Sequence, residues 1–236
     1  MKFETPLIPG ELIKRYKRFL ADIRLEDGTV VTAHCPNSGS MKGCAFPGGE
    51  VRLSHRTNPK RKLQYTWEMI HNGRCWIGIN TQIPNIITLE ALKAGRIHEL
   101  CEYNKIRREI QYGEKCRLDF LAKNKNGALC YIEVKNVTLL DTDGCYAFPD
   151  AVTKRGKKHL LALKNIARTG HRAVMIYVIQ RSDGQKFRPA KQIDPEYAAC
   201  LSAVHFSGVE VLPYLAQVNP NSIELSTTKV EYILDS

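Results

Sequence analysis

The chain has 236 residues, of which 43% are hydrophobic and 25% are charged, and it carries a formal net charge of +11. This composition supports one large or two modest packed domains and excludes a disordered protein, and no apolar run approaches the ~18 residues of a membrane helix. The positive charge favours a polyanionic partner such as DNA, RNA or an acidic membrane surface. The eight cysteines are scattered and no secretory signal is visible, so we expect reduced thiols and a cytoplasmic protein.

The first third of the chain predicts a small β-barrel. The stretch FLADIRLEDGTVVTAHC contains two short strand-like runs joined by an Asp-Gly turn, and EVRLSHR, KLQYTWEMIH and RCWIGIN follow. Turns with Asp-Gly or Asn-Gly between such runs indicate hairpins. Five short strands therefore predict an OB-like barrel over residues 1–85, and many barrels of this kind bind nucleic acid.

The loop RTNPKRK within this region is a candidate DNA-binding segment. Its basic residues are Arg56, Lys60, Arg61 and Lys62. These cations could bind phosphates, while Tyr65, Trp67 or Trp76 could stack on bases. The alternative is a solvated loop beside aromatic residues of the core.

The remaining chain, residues 86–236, predicts an α/β (α+β) domain. We expect residues 81–87, TQIPNII, to be a linker and Thr88 to cap the helix that follows. The predicted elements are then a helix (TLEALKAGRIHELCEY), three strands (IRREIQY, RLDFLA, LCYIEVKN), a helix (AVTKRGKKHLLALKNIARTG) and a strand buried on both faces (AVMIYVIQ). A last helix (PEYAACLSAVHFSG), a strand (VEVLPYL) and edge structure complete the domain.

The predicted hairpin RLDFLAKNKNGALCYIEVK brings three charged residues together. A three-residue loop at 125–127 has glycine at its last position, as favoured loops of this length do. This register sets Asp119 opposite Glu133, and Lys135 lies on the same face of the strand. The opposite face, which should pack against the core, carries Leu118, Phe120, Ile132 and Val134.

Two carboxylates directly opposite each other repel, so a cation is expected between them. Lys135 supplies part of the charge, and Mg²⁺ or Mn²⁺ would supply more, because Mg²⁺ binds one or two carboxylates together with water and phosphate oxygens. We therefore predict Asp119 and Glu133 as metal ligands and all three residues as catalytic, with Lys135 orienting or deprotonating a water molecule beside a phosphodiester. The alternative is a surface ion-pair cluster worth about 0–1 kcal/mol.

The order of helix, three strands, helix and strand matches the core of the PD-(D/E)xK, or restriction-endonuclease-like, nucleases. In that superfamily the Asp lies on the second core strand and the ExK motif on the third, which here implies Asp119, Glu133 and Lys135. The additional acid of the superfamily could be Glu99 or Glu109.

The helix after the ExK strand begins with a cluster of cations. The candidate DNA-binding residues among them are Arg155, Lys157 and Lys158. Cations at a helix N-terminus oppose the macrodipole, which indicates an anionic partner. The alternative is a solvated basic face.

Four stretches resemble the sugar fermentation stimulation protein A family of prokaryotes: HCPNSGSM (34–41), EIQYGEKCRLDFL (109–121), YIEVKNVTL (131–139) and YAFPDAVTKRGKKHL (146–160). The resemblance implies an OB-like domain followed by a nuclease-like domain, DNA binding, and a role in regulating sugar (maltose) metabolism genes. It also implies that Asp119, Glu133 and Lys135 form the nuclease-like site. Where the family usually has Asn-Thr-Gly-Arg, residues 37–40 of this chain are Asn-Ser-Gly-Ser, without the arginine.

Together these features predict a protein that binds DNA, mostly independently of sequence, since no helix-turn-helix is evident. Two alternatives remain. The first is an active Mg-dependent nuclease that acts on DNA or RNA, and the second is a non-catalytic module that binds RNA or another acidic partner. The sequence does not predict the oligomeric state.

Overall fold

The computed structural model of the protein describes residues 1–58, 60–113 and 116–234. The elements in chain order are β1 (Ile8–Tyr16), β2 (Leu20–Leu25), β3 (Val30–His34), β4 (Glu50–His55), β5 (Tyr65–His71), β6 (Trp76–Gly78), α1 (Ile83–Lys93), a 3₁₀ helix (His98–Leu100), β7 (Tyr103–Tyr112), β8 (Cys116–Asn124), β9 (Leu129–Val137), β10 (Leu139–Leu140), β11 (Tyr146–Phe148), α2 (Lys154–Arg168), β12 (Arg172–Ile179), β13 (Phe187–Pro189), α3 (Pro195–His205), β14 (Glu210–Asn219) and β15 (Ser222–Lys229). Over these ranges no helix has the length and apolar character needed to cross a membrane.

Strands β1 to β5 close into the predicted OB-like barrel. They lie in the order β3-β2-β1-β4-β5, a parallel pairing of β3 with β5 completes the ring, and β6 extends the sheet beside β5. The interior is filled by buried apolar side chains of the strands: Leu12, Ile23, Val51, Leu53, Trp67 and Ile70.

The central strand of this sheet, β1, is absent from the sequence prediction of five strands. Its second and third residues are Pro9 and Gly10, both of which weaken a strand signal. A Cβ at position 10 would lie 2.6 Å from Cγ2 of Ile23 and 2.9 Å from the carbonyl oxygen of Arg24. The glycine is therefore needed because β2 approaches β1 closely here, and that approach is a tertiary property.

The aromatic residues of the barrel do not all remain available to bases. Trp67 is fully buried and its indole N–H donates to the carbonyl of Met69 at 3.0 Å, so its predicted stacking role is wrong. Trp76 is partly buried beneath the guanidinium of Arg52, whose centre lies 4.7 Å from the ring. Tyr65 is also partly buried, at one end of β5.

Helix α1 begins at Ile83, so residues 83–87 of the segment 81–87 predicted as a linker belong to its first turns. Pro84 occupies the start of the helix, where its missing N–H has no intrahelical partner to lose. Thr88 is fully buried within the helix and does not cap it, which corrects the predicted start. The helix ends just before Gly95, whose φ of +66° suits a C-terminal stop.

The second half of the chain forms a six-stranded sheet with the order β15-β14-β12-β9-β8-β7. Strands β9, β12 and β14 run parallel, and α2 provides the crossover from β9 to β12. Helix α1 packs on one face of the sheet, and α2 and α3 pack on the other. Residues 173–179 of β12 are buried throughout, as predicted for a strand covered on both faces. The predicted fold class, an OB-like barrel followed by a nuclease-like α/β domain, is confirmed.

The barrel and the second sheet are in direct contact. The backbone N–H of Gly78 donates to the carbonyl of Gln180 at 2.9 Å, and the Asn72 side chain donates to Asp183 at 2.7 Å. The position proposed from sequence as the domain boundary, between residues 85 and 86, falls inside α1. The loops of one half therefore meet the strand ends of the other, and this is where the candidate site lies.

Candidate active site

The β8–β9 hairpin has the register predicted from its loop. Phe120 pairs with Ile132, and the N–H of Asn124 donates to the carbonyl of Ala128 at 3.1 Å across the turn. The regular ladder ends at Phe120. Asp119 comes next on β8, at the level of Glu133 on β9.

Beyond the last ladder pair, the carboxylate of Asp119 replaces a backbone carbonyl of β8 as the hydrogen-bond acceptor for β9. Its Oδ2 accepts the N–H of Val134 at 2.8 Å, a donor that a regular ladder would direct to the carbonyl of Leu118. Leu118 consequently packs in the cluster beneath α2, while Phe120 packs beneath α1. The sequence expectation that both leucine and phenylalanine share one core face is wrong, because β8 departs from strict alternation at Asp119.

Glu133 is the most enclosed charged group of the site, with only 2% of its surface exposed. Its Oε1 accepts a hydrogen bond from Nζ of Lys135 at 2.5 Å and is in close contact with Nδ1 of His159 on α2. Burial alone raises the pKa of Glu133, but the hydrogen bond from His159 and the charge of Lys135 outweigh it, so the pKa is lowered. Glu133 is therefore an ionised carboxylate held from one side.

The second carboxylate oxygen of Glu133, Oε2, is buried and has no hydrogen-bond partner in the described part of the chain. A buried acceptor on an ionised group is costly when it is left unsatisfied. A bound cation would satisfy this oxygen, so its position fits a metal site.

The pKa of Asp119 is shifted in the opposite direction from that of Glu133. Its Oδ1 accepts from the side-chain amide of Asn85 on α1 at 2.8 Å, in addition to the Val134 bond. Burial, and then the negative charge of Glu133, raise the pKa of Asp119 from 3.8 to about 6. The two carboxylates are thus close enough to repel, and the metal-free protein tolerates them at a cost.

The donor set fits a hard divalent cation with few protein ligands. Among the described residues, no group of three or more His, Cys, Asp or Glu side chains is arranged to hold a metal ion. Asp119 and Glu133 therefore offer two carboxylates, and Mg²⁺ commonly takes only one or two from the protein, with water and phosphate oxygens filling the other positions.

These groups open into a cleft of about 580 Å³ that both halves of the molecule line. The barrel contributes residues 37–39 and Arg18, and the second half contributes the β8–β9 charges and residues 147–153. At the edge of the cleft, Asp150 accepts the N–H of Met41 at 3.1 Å, which joins the HCPNSGSM and YAFPDAV stretches. The two motifs thus form one wall.

The basic start of α2 borders this cleft. Arg155 lines it, and its Nε lies 3.5 Å from Nε2 of His159. Lys158 lines a neighbouring cavity with Lys154. Lys157 is directed elsewhere, since its Nζ pairs with Glu196 on α3 at 2.8 Å.

The basic loop of the barrel lines a separate cavity. Arg56 and Arg61 border it together with the buried Glu68, and Nη2 of Arg61 donates to the Thr66 hydroxyl at 3.0 Å. Lys60 and Lys62 are exposed. The structure therefore does not bring this loop into the Asp119 cleft, although the walls of the two cavities include adjacent residues at positions 36–37 and 80–82.

Neither candidate for the additional acid lines the Asp119 cleft. Glu99, in the 3₁₀ helix, pairs with Lys229 at 2.7 Å and accepts from the Tyr214 hydroxyl at 2.5 Å. Glu109 has a left-handed φ of +55° on β7 and pairs with Arg117. On the first helix it is the amide of Asn85 that meets Asp119.

Sequence reasoning missed three contributors to this site. Asn85 falls inside the segment 81–87 predicted as a linker, His159 follows the cations at the start of the predicted helix, and Asp150 lies in the stretch 146–160 without a predicted role. A signal existed only for Asp150 and His159, because both belong to the stretch 146–160 that carries the family resemblance.

An OB-like barrel joined to a nuclease-like sheet domain, with an acidic pair and a lysine at their shared cleft, defines the class of this protein. The chain belongs to the sugar fermentation stimulation protein family: the model described as "Sugar fermentation stimulation protein RE domain" matches residues 82–222, and "SfsA N-terminal OB domain" matches residues 13–79.

Curated relatives extend this match over nearly the whole chain. The sugar fermentation stimulation protein homolog of Geotalea uraniireducens is 52% identical over 226 residues, which cover 96% of this chain and 97% of that protein. The homolog of Acidithiobacillus ferrooxidans is 48% identical over 224 residues, or 95% and 97% of the two chains. Among solved structures, SfsA of Pyrococcus furiosus in complex with Ca²⁺ is similar in fold, with a TM-score of 0.89, 23% identity, and coverage of 99% of this chain and 98% of that one.

Proposed function

We propose that the protein binds DNA and that its cleft is a divalent-metal-dependent phosphodiesterase site, with Asp119 and Glu133 as metal ligands and Lys135 as the third catalytic residue. Residues 1–85 would supply a nucleic-acid-binding barrel and residues 86–236 the nuclease-like domain. The observation that carries the proposal is Oε2 of Glu133. This atom belongs to a buried, ionised group, has no hydrogen-bond partner among the described residues, and lies beside a second carboxylate whose pKa is raised to about 6.

Mg²⁺ or Mn²⁺ is the proposed cofactor, and the Ca²⁺ bound to the Pyrococcus furiosus protein is in line with a divalent cation. When bound, such an ion polarises a phosphodiester and lowers the pKa of a water molecule. The protein contributes the two carboxylates, one fixed by His159 and Lys135 and the other by Asn85 and the Val134 N–H.

Lys135 has a second contact besides Glu133, since its Nζ lies 3.3 Å from Nδ1 of His159. That nitrogen donates to Glu133 and cannot also accept, so of the three donors of the ammonium group only one is used, and two remain to hold a water molecule or a phosphate oxygen at the cleft. Its positive charge also stabilises the negative charge that develops on the phosphate during attack. Arg155, at the same cleft, is proposed to bind a flanking phosphate.

The test is a cleavage panel with DNA and RNA substrates in the presence of Mg²⁺, Mn²⁺ or neither. Asp119→Asn, Glu133→Gln and Lys135→Met should each lower the rate by at least about 100-fold, because each removes charge needed in the transition state. Glu224→Gln is the matched control, since Glu224 is a half-exposed acid paired with Arg96. Cleavage that persists in both Asp119→Asn and Lys135→Met would come from a contaminant and would exclude the proposed site.

A second candidate function is DNA binding without cleavage, with a link to sugar (maltose) metabolism genes. The basic loop at Arg56 and Arg61 favours it, because this loop lies outside the Asp119 cleft. Such binding should need no metal and should weaken steeply with salt, as phosphate contacts release counterions. Affinity that stays constant between about 50 and about 200 mM salt would contradict it.

A further inference from the structure

The loop that joins β1 to β2 has a basic and aromatic tip beside the cleft. The tip consists of Lys17, Arg18 and Phe19, and Arg18 lines the same cavity as Asp119. Phe19 is 47% exposed, and its carbonyl accepts the N–H of Cys35 at 2.8 Å. Within the described ranges, the guanidinium of Arg18 has no hydrogen bond or ion pair.

The backbone of the tip is strained. Lys17 and Arg18 have φ values of +46° and +62°, in the left-handed region that favours glycine. Favoured three-residue hairpin loops confine this conformation to one position. Strain of this kind persists where surrounding contacts enforce it, and it clusters at ligand-binding sites. Two long cations where glycine would fit better indicate that these side chains serve a ligand.

Arg15 fixes the tip against the cleft. Its Nε donates to the carbonyl of Arg18 at 3.1 Å, and its Nη2 donates to the carbonyls of Asn37 at 2.9 Å and Gly39 at 3.0 Å. Asn37 and Gly39 line the cleft themselves. The tip is therefore held in place relative to the wall of the site before any ligand binds, which lowers the entropic cost of binding.

An exposed aromatic residue next in sequence to an arginine whose guanidinium has no partner among the described residues matches the chemistry with which proteins bind single-stranded nucleic acid. The ring stacks on a base, and the cation binds the backbone phosphate. In a continuous duplex every base face is covered by its neighbours, so the ring would find a free face only at an unpaired nucleotide.

We infer that the tip Lys17–Phe19 binds an unpaired nucleotide, with Phe19 stacked on its base and Arg18 on its phosphate, and that the cleft acts on single-stranded or locally unpaired DNA. This inference rests on the proposed function of the cleft and names its substrate class. The loop is contributed by the barrel and the chemistry by the second sheet, so the substrate spans both halves of the molecule.

The test measures the binding of the full-length protein to a fluorescent single-stranded oligonucleotide and to its duplex, by anisotropy with Ca²⁺ as the divalent cation. The wild type should bind the single strand more tightly. Phe19→Ala should weaken single-strand binding by about 5- to 160-fold, the range that corresponds to the loss of one stacked base, and duplex binding by less than about 2-fold. Phe19→Trp should restore the affinity. The control Phe206→Ala, at a residue 70% exposed at the end of α3, should change neither.

Arg18→Gln is the second variant, and it leaves the aromatic ring in place. It should weaken binding to both forms of DNA and reduce the slope of log affinity against log salt by about 0.7 to 0.9, the contribution of one phosphate. Thermal unfolding of each variant checks that the fold is retained.

Equal affinity of the wild type for single strand and duplex would overturn the inference, and so would equal effects of Phe19→Ala and Phe206→Ala. Cleavage separates it from the proposed function. If cleavage depends on Asp119 but is unchanged in Phe19→Ala on single strands, the inference fails while the site stands. If Phe19 controls binding but the wild type cleaves nothing, the nuclease proposal fails while the binding tip stands.

Discussion

Replacing Asp119 by asparagine is expected to stabilise the metal-free protein while abolishing its metal binding. Burial and the charge of Glu133 raise the pKa of Asp119 from 3.8 to about 6. An acid with a raised pKa binds its proton more tightly in the folded than in the unfolded chain, so stability falls as the pH rises from about 4 through about 6. Above that range the full cost of the ionised carboxylate is present.

The rise of about two pH units corresponds to about 3 kcal/mol, at 1.36 kcal/mol per unit. Asparagine has nearly the same shape, and its Oδ1 can still accept the Val134 N–H. Its amide can donate to Asn85 once the Asn85 side chain turns its oxygen inward, so both hydrogen bonds have a partner. We expect a gain of about 2–3 kcal/mol at pH 8, or roughly 4–12 °C in Tm for a chain of this size.

The assay is thermal unfolding followed by circular dichroism in EDTA at pH 4 and pH 8, and then at pH 8 with Mg²⁺ or Mn²⁺. The stabilisation by Asp119→Asn should be present at pH 8 and largely gone at pH 4. Added metal should raise the Tm of the wild type only, because a ligand stabilises the state that binds it. Glu224→Gln serves as the exposed control. A lower Tm for Asp119→Asn at pH 8, or the same difference at both pH values, would refute the reasoning.

Two further changes probe the site, and a third probes the contact between the barrel and the second sheet. Gly39→Ala places a Cβ against the carboxylate of Asp150 and should lower the free energy of unfolding in urea by about 1–3 kcal/mol, as overpacking does. His159→Leu removes a buried donor to the candidate ligand carboxylate and should weaken metal binding by about 10- to 100-fold in calorimetry, with partial rescue by His159→Asn; equal affinity in all three proteins would rule out this role. Burial raises the pKa of Asp183, but the hydrogen bond and charge of Arg181 and the hydrogen bond from Asn72 outweigh it and lower the pKa to about 2. The group should therefore contribute about 1–2 kcal/mol after allowance for solvent screening. That contribution is present above pH 3.8 and lost as the pH falls towards 2, so denaturation of Asp183→Asn should differ from the wild type at pH 7 and converge with it at pH 2.

The parts of the fold that sequence predicts correctly are those set by local chemistry. The glycine at the end of loop 125–127 determines a hairpin register, and this local signal suffices to set Asp119 at the level of Glu133. The parts that fail depend on contacts distant in the chain. Position 10 needs glycine because β2 approaches β1 closely there, and this glycine weakens the sequence signal for β1. Pro84 suggests a linker in the sequence, although in the structure it lies in the first turn of α1, where proline is tolerated.

The same limit applies to the site. Glu133 and Lys135 are two residues apart on one strand, so period-two alternation places them together. Asn85 contacts Asp119 from α1, and Arg18 lines the cleft from the barrel. Both residues are distant from Asp119 in the chain, so their positions cannot be predicted from sequence spacing. The structure also shows where the chain departs from the family's Asn-Thr-Gly-Arg pattern. Ser40, at the position of the arginine, lies on the wall joined to Asp150, with its Oγ 3.5 Å from Oδ2 of Asp150.

The failure of alternation at Leu118 has a physical cause that also explains the site. In a regular ladder the carbonyl of Leu118 would satisfy the Val134 N–H, and the Asp119 carboxylate would have no backbone donor on β9. Because β8 leaves the ladder there, the carboxylate itself takes that N–H, and β7 accommodates the change at Glu109, which adopts a left-handed φ at the same level of the sheet. The interruption of the β8–β9 ladder thus holds Asp119 beside Glu133 despite the repulsion between the two carboxylates. Both residues line the cleft at this point.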